Sequence, residues 1–202
     1  MPETLPAKKF IAIATSTGGS IYLHEIFHHL PADLPAAVLI CHSAPQSLTK
    51  RIVQNMPGRY EKKLPLPISF GMEAEIILSS NIYLCPLSND MVIEAIEGGY
   101  RLRLAPPTGN GGPNLDRFLH SIAQNAAPRS IGITLSGETL DGAEGLRALR
   151  AQGGKTISIQ PDQWTACPQL PQFIQSERIA EKIVNAKNLS NQILQSLSQI
   201  RD

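Results

Sequence analysis

The chain has 202 residues, 42% of them hydrophobic and 17% charged, with 15 Gly and 16 Pro, which excludes a disordered acidic tail, a collagenous chain and a low-complexity repeat. At this length folding buries roughly 70% of the unfolded surface, so a core forms without disulfides or structural metals and a single domain spanning 1–202 is expected. The 18 Lys and Arg nearly cancel the 17 Asp and Glu, which leaves no basic stripe for a nucleic-acid partner.

Lys8 and Lys9 precede an apolar run at 10–14 that is too short for a signal segment (about 7–15 residues) or a membrane helix (about 20). No membrane insertion is expected. Cys41, Cys85 and Cys167 form no C-x-x-C pair, which points to the reducing cytoplasm and to cysteines used as small hydrophobes. The apolar runs 10–14 and 36–41 flank a segment whose Leu23, Ile26, Phe27 and Leu30 share one helical face, a βαβ unit with buried parallel strands. A second helix is expected over 46–55. Short strands are expected at 68–70, 75–78, 82–84, 91–95 and 100–104, as an antiparallel meander or hairpin set inserted in the α/β frame. A helix over 114–126, a buried strand over 130–135, a helix over 141–151 and a strand over 155–159 follow. Leu189, Ile193, Leu194, Leu197 and Ile200 mark a terminal helix. The fold class is therefore α/β: a three-layer sandwich around a mostly parallel, doubly wound sheet. The Pro- and Gly-rich stretch 106–113 reads as a long loop near a site.

In such sheets ligands bind beyond the carboxyl ends of the strands. Strand one ends in Thr15-Ser16-Thr17-Gly18-Gly19-Ser20, strand two in His42-Ser43, and the strand ending at Leu135 leads through Ser136-Gly137-Glu138-Thr139-Leu140 to Asp141-Gly142. A hydroxyl, a base and a carboxylate on one rim are the parts of nucleophilic acyl transfer. Each has a plainer alternative: Ser16, Thr17 or Ser20 as a helix cap, His42 as a satisfied core residue, and Asp141 with Glu144 as a capping box. Cys41 and His42 are strand neighbours and point to opposite faces, so they form no catalytic pair.

His24-Glu25-Ile26-Phe27-His28 fits the H-E-x-x-H zinc-protease pattern. Both histidines fall on the flank of the apolar face and no third ligand is visible, so no catalytic metal is expected. Residues 15–20 lack G-x-G-x-x-G and the Walker lysine, and His42 stands where a ribose-binding acid would end strand two, which argues against a nucleotide site.

Taken together, these segments resemble the catalytic domain of the bacterial chemotaxis protein-glutamate methylesterases, the CheB type. Thr15-Ser16-Thr17-Gly18-Gly19 is similar to that family's A-S-T-G-G, Cys41-His42-Ser43-Ala44-Pro45 to its Q-H-M-P, and Ile82-Tyr83-Leu84-Cys85-Pro86 to its Y-I-A-P. Pro113-Asn114-Leu115-Asp116 is similar to R-P-S-V-D, and the run Leu135 to Ala143 to L-T-G-M-G-x-D-G-A. The resemblance implies a serine hydrolase with Ser16 as nucleophile, His42 as general base and Asp141 as its orienting carboxylate, with Thr17, Gly18 and Glu138 in the oxyanion and substrate loops. It implies hydrolysis of γ-glutamyl methyl esters on methylated chemoreceptors or another protein ester, glutamine deamidation as a related activity, and no cofactor. The usual receiver domain has no counterpart in this sequence, which is read as either a stand-alone protein or an excised domain, and a separate receiver-domain regulator is among the partners the resemblance allows. Glu138-Thr139 replaces the family's Met-Gly and Gly111-Gly112 its His-Arg. The acid is expected to raise the pKa of His42, and the two changes together keep a non-catalytic binding module on the same fold as the alternative.

Overall fold

The computed structural model describes residues 5–43, 64–108, 112–163 and 165–201. The helix expected over 46–55 lies outside them. Strands β1 (Phe10–Thr15) and β2 (Ala37–His42) flank helix α1 (Ser20–His29). Next come β3 (Ile68–Phe70), β4 (Ile82–Leu84), β5 (Asp90–Ile96) and β6 (Gly99–Ala105). The rest of the chain adds α2 (Leu115–Ala126), β7 (Ser130–Thr134), α3 (Ala143–Ala151), β8 (Lys155–Ile159), α4 (Gln169–Ser176), β9 (Lys182–Val184) and α5 (Leu189–Ser198).

Seven strands form one parallel sheet in the order β3-β4-β2-β1-β7-β8-β9. Every residue of β1 and β2 is buried, as unbroken apolar strands covered on both faces require. Phe10, Ala12 and Ala14 face one core with Leu115, Phe118, Ile122, Leu146 and Leu149 of α2 and α3. Ile11 and Ile13 face the other, with Leu23, Ile26 and Phe27 of α1 and Ile193 and Leu197 of α5. Each of the buried Leu, Ile and Phe side chains among these contributes about 1.5–3 kcal/mol over its exposed state. Helices α2 and α3 cross closely at Gly145, where a Cβ would come within 2.7 Å of Leu119 Cβ and 2.8 Å of the Asp116 carbonyl. Strand order reverses between β1 and β7, and the crevice at their carboxyl ends is where such a sheet takes a ligand.

Among the described strands, β5 and β6 alone form an antiparallel ladder, as a separate two-stranded sheet. The expected antiparallel hairpin insertion is thus present as β5 and β6, whereas β3 and β4 join the parallel sheet and 75–78 contributes only isolated bridges, Pro6 with Leu78 and Ile76 with Arg101. Alternation within a short run fixes which face a residue takes and leaves its partner strand open. The hairpin docks through its edge: the N–H groups of Ile93 and Ala95 donate to Ser121 Oγ and Asn125 Oδ1 on α2, each at 3.2 Å. Helix α4 and strand β9 are additions to the sequence reading. The helix is short and carries Pro171 in its first turn, where proline's missing N–H is tolerated. Among the described residues no helix is long and apolar enough to cross a membrane.

Candidate active site

The site builds on the β1–α1 turn. Gly18 takes the left-handed conformation (φ 85°), and a Cβ there would meet Ser136 Oγ at 2.8 Å and Ala166 Cβ at 2.9 Å. Gly19 is the N-cap of α1 and no side chain caps that helix, so the hydroxyls of Ser16, Thr17 and Ser20 are not spent on capping it. At Gly19 a Cβ would collide with Thr15 Oγ1. Ser16 is half-buried; its N–H donates to the Ser136 carbonyl (3.0 Å) and its own carbonyl accepts from Gly19 (3.1 Å).

The parallel register sets Thr15 opposite His42, and the Ser43 N–H donates to the Thr15 carbonyl at 2.9 Å. These pairings bring His42 to Ser16. His42 is 2% exposed. Burial pushes its pKa down to about 4, against the opposing pull of the ring's hydrogen bond to the Ser16 backbone. The imidazole is therefore neutral at pH 7, the state a general base needs. The rise expected from Glu138 is overturned, because desolvation outweighs a side chain that is itself exposed and turned to Cys167, with Glu138 Oε1 accepting from Cys167 Sγ at 3.6 Å.

A strap from the β8–α4 loop holds the β7 loop against Ser16. Ser136 Oγ is 2.9 Å from the carbonyls of Thr17 and Cys167 and accepts from the Cys167 N–H at 3.2 Å. The Gly137 N–H donates to the Cys167 carbonyl at 2.9 Å. A Cβ on Gly137 would stand 3.2 Å from Ser16 Oγ, so the bare backbone here leaves the hydroxyl room. Cys167, read from sequence as filler, is half-buried and holds this strap through its backbone. Cys41 and Cys85 are buried core residues.

Asp141 does something the sequence reading missed. The expected capping box with Glu144 is not formed: α3 begins at an N-cap Gly142 (φ 101°) without a side-chain cap. Asp141 reaches back instead, its Oδ2 accepting from the Leu115 N–H and its Oδ1 from the Asp116 N–H, each at 2.9 Å. Asp116 returns the favour to α3, its Oδ1 accepting from Gly142 (3.0 Å) and Gly145 (2.7 Å). The two helices exchange caps. Burial raises the pKa of Asp141, the Leu115 and Asp116 N–H groups oppose that rise, and the Asp116 and Asp90 charges add to it. The structure thus brings Ser16 and His42 together, while the hydrogen bonds described for Asp141 run to the start of α2.

Asp90 is a second residue that sequence reasoning missed. Its side chain is fully buried and accepts from the Thr108 N–H (3.0 Å) and Oγ1 (2.7 Å), the Asn114 N–H (2.8 Å) and Arg117 Nη1 (2.9 Å). These donors hold its pKa below the usual carboxylate value despite burial, which pulls the other way. Asp90 thereby anchors both ends of the Pro- and Gly-rich loop. Gly112, from that loop, packs on Ser43, where a Cβ would lie 3.0 Å from Ser43 Oγ. No spacing rule links Asp90 to Arg117, so the pair left no sequence signal. Gly111 lies outside the described residues.

A family model described as CheB methylesterase matches residues 11–193. A protein-glutamate methylesterase/protein-glutamine glutaminase of Chromohalobacter salexigens is 33% identical over 156 residues, covering 76% of this chain and 43% of its own length. One of Geobacter sulfurreducens is 26% identical over 203 residues, covering all of this chain and 53% of that protein. The chain thus spans about half the length of these relatives. Among solved structures, the CheB methylesterase catalytic domain of Thermotoga maritima superposes with a TM-score of 0.81 at 21% identity, over 94% of this chain and 98% of that one, which establishes the shared fold.

Proposed function

The chain belongs to the CheB methylesterase family, and from that premise we propose that it is a cytoplasmic serine ester hydrolase that cleaves γ-glutamyl methyl esters on a protein, methylated chemoreceptors being the substrate class. Ser16 Oγ attacks the ester carbonyl while its proton passes to His42. Backbone N–H groups near Thr17 and Gly18 receive the oxyanion. Collapse of the tetrahedral adduct expels methoxide, which takes the proton from His42 and leaves as methanol. Water, deprotonated by His42, then attacks the acyl-Ser16, releasing the glutamate carboxyl and returning the proton to Ser16. Asp141 is the carboxylate that orients the imidazole and stabilises its charged form. Attack on a glutamine amide by the same parts releases ammonia in place of methanol.

The observation that carries this reading is the buried, neutral His42 tied to the backbone of Ser16 at the strand-order switch. A fluorophosphonate probe tests it. Labelling of Ser16 that disappears in Ser16→Ala supports an activated serine; absence of labelling in folded protein overturns it.

A second reading has its own support. Both Asp141 oxygens accept from backbone N–H groups at the start of α2, which suits a structural carboxylate and a binding module on a catalytic fold. Such a module would bind the methylated protein without turnover.

A further inference from the structure

The H-E-x-x-H segment of α1 takes no part in the reaction above. His24 and His28 are half-buried on consecutive turns of the helix. Their Nε2 atoms lie 3.1 Å apart, with ring centroids at 4.5 Å and planes tilted by 55°. Two imidazole nitrogens about 2.0–2.1 Å from a tetrahedral zinc are about 3.3–3.4 Å apart. At adjacent corners of a square-planar ion they are about 2.8–2.9 Å apart. The observed separation falls between these two bites. It is set by the i,i+4 spacing of the helix and needs no backbone movement.

We propose that His24 and His28 are a chelating pair for one borderline divalent transition ion, zinc, nickel or copper, bound through both Nε2 atoms with water completing the coordination. Without the ion, one Nε2–H donates to the other Nε2. On binding, that proton moves to Nδ1 of the same ring and the metal takes its place as the bridge. Among the described residues no group of three or more His, Cys, Asp or Glu is placed to hold a metal, so the proposal rests on the two imidazoles and assigns no catalytic role to the ion. The nitrogens converge only when 24–28 is helical, so the ion favours the folded chain and stabilises α1.

Calorimetric titration of the full chain with zinc chloride, with nickel chloride in parallel, tests the proposal. One ion per chain is expected, with His24→Ala and His28→Ala each weakening binding about tenfold or more through loss of the chelate and His29→Ala leaving it unchanged. At a metal concentration about 100 times Kd, Tm rises by about 5–10 °C, and magnesium at the same concentration gives no shift. The histidine ring-proton resonances of the unmutated chain give a readout without mutation: those of His24 and His28 move on adding zinc. Absence of binding, binding that survives His24→Ala, or movement of other histidines alone overturns the proposal.

Discussion

His42 and Asp141 stand at the same rim of the sheet, one at the end of β2 and one beyond β7, and the fold holds them by opposite means. His42 is kept uncharged by burial, with its ring tied to the Ser16 backbone. Asp141 is ringed by donors, two backbone N–H groups at the start of α2, while burial and the neighbouring Asp116 and Asp90 charges push its pKa up. One wall of the crevice is thus set by desolvation and the other by backbone hydrogen bonds. Perturbing the first should change proton transfer, and perturbing the second should change both stability and geometry.

The largest effect separates chemistry from scaffold. Ser16→Ala should lower kcat on a methyl-ester protein substrate by about 10⁶ with Tm nearly unchanged, and undiminished turnover in that variant would remove Ser16 as nucleophile. Asp141→Asn sharpens the contrast between the walls. If Asp141 orients His42, kcat falls by about 10⁴; if it serves only α2, activity in the folded protein stays near that of the parent. Steady-state kinetics alongside thermal melts distinguish the two.

Asp90→Ala probes the donor-rich wall without touching either candidate catalytic group. It leaves the Thr108 and Asn114 N–H groups without their acceptor, while the partly exposed Arg117 guanidinium turns to water, and should cost about 2–4 kcal/mol in denaturant unfolding. A loss below 1 kcal/mol would mean that the Pro- and Gly-rich loop does not depend on this anchor.

The smallest expected effect belongs to His42. Its folded pKa of about 4 lies below its ordinary value of 6.5, so between those values the unfolded chain binds more protons than the folded one. Stability is then full above pH 6.5 and falls as pH falls towards 4, by about 3 kcal/mol from this group. His42→Gln should flatten that part of the stability curve. In the active enzyme, kcat/KM should already be level from pH 6 to 8, and an inflection near 6.5 would show that the imidazole is not desolvated as described.

The residues on the rim were legible because a parallel strand buried on both faces reads as an unbroken apolar run, and whatever polar residue ends it must lie at the carboxyl edge. That logic located Ser16, His42 and the Ser136-to-Asp141 loop, together with the α/β class, the helix over 114–126 and the terminal helix. It failed in the middle of the chain. There the strands are three residues long or lie on a hairpin, and nothing local says whether 68–70 and 82–84 pair with each other antiparallel or extend the parallel sheet outward from β2.

Local pattern therefore determined which segments are buried and which polar residues stand at their ends, since both follow from side-chain periodicity along a few neighbouring residues. Tertiary structure alone decided how those polar residues are used. Asp141 caps a helix that begins 26 residues before it and Asp116 caps the helix that follows Asp141; Asp90 gathers donors from 108, 114 and 117; and β1 and β2 come into register so that burial sets the charge of His42. Hydrogen-bond partners and desolvation depend on what packs alongside, and in a doubly wound sheet those neighbours come from distant parts of the chain.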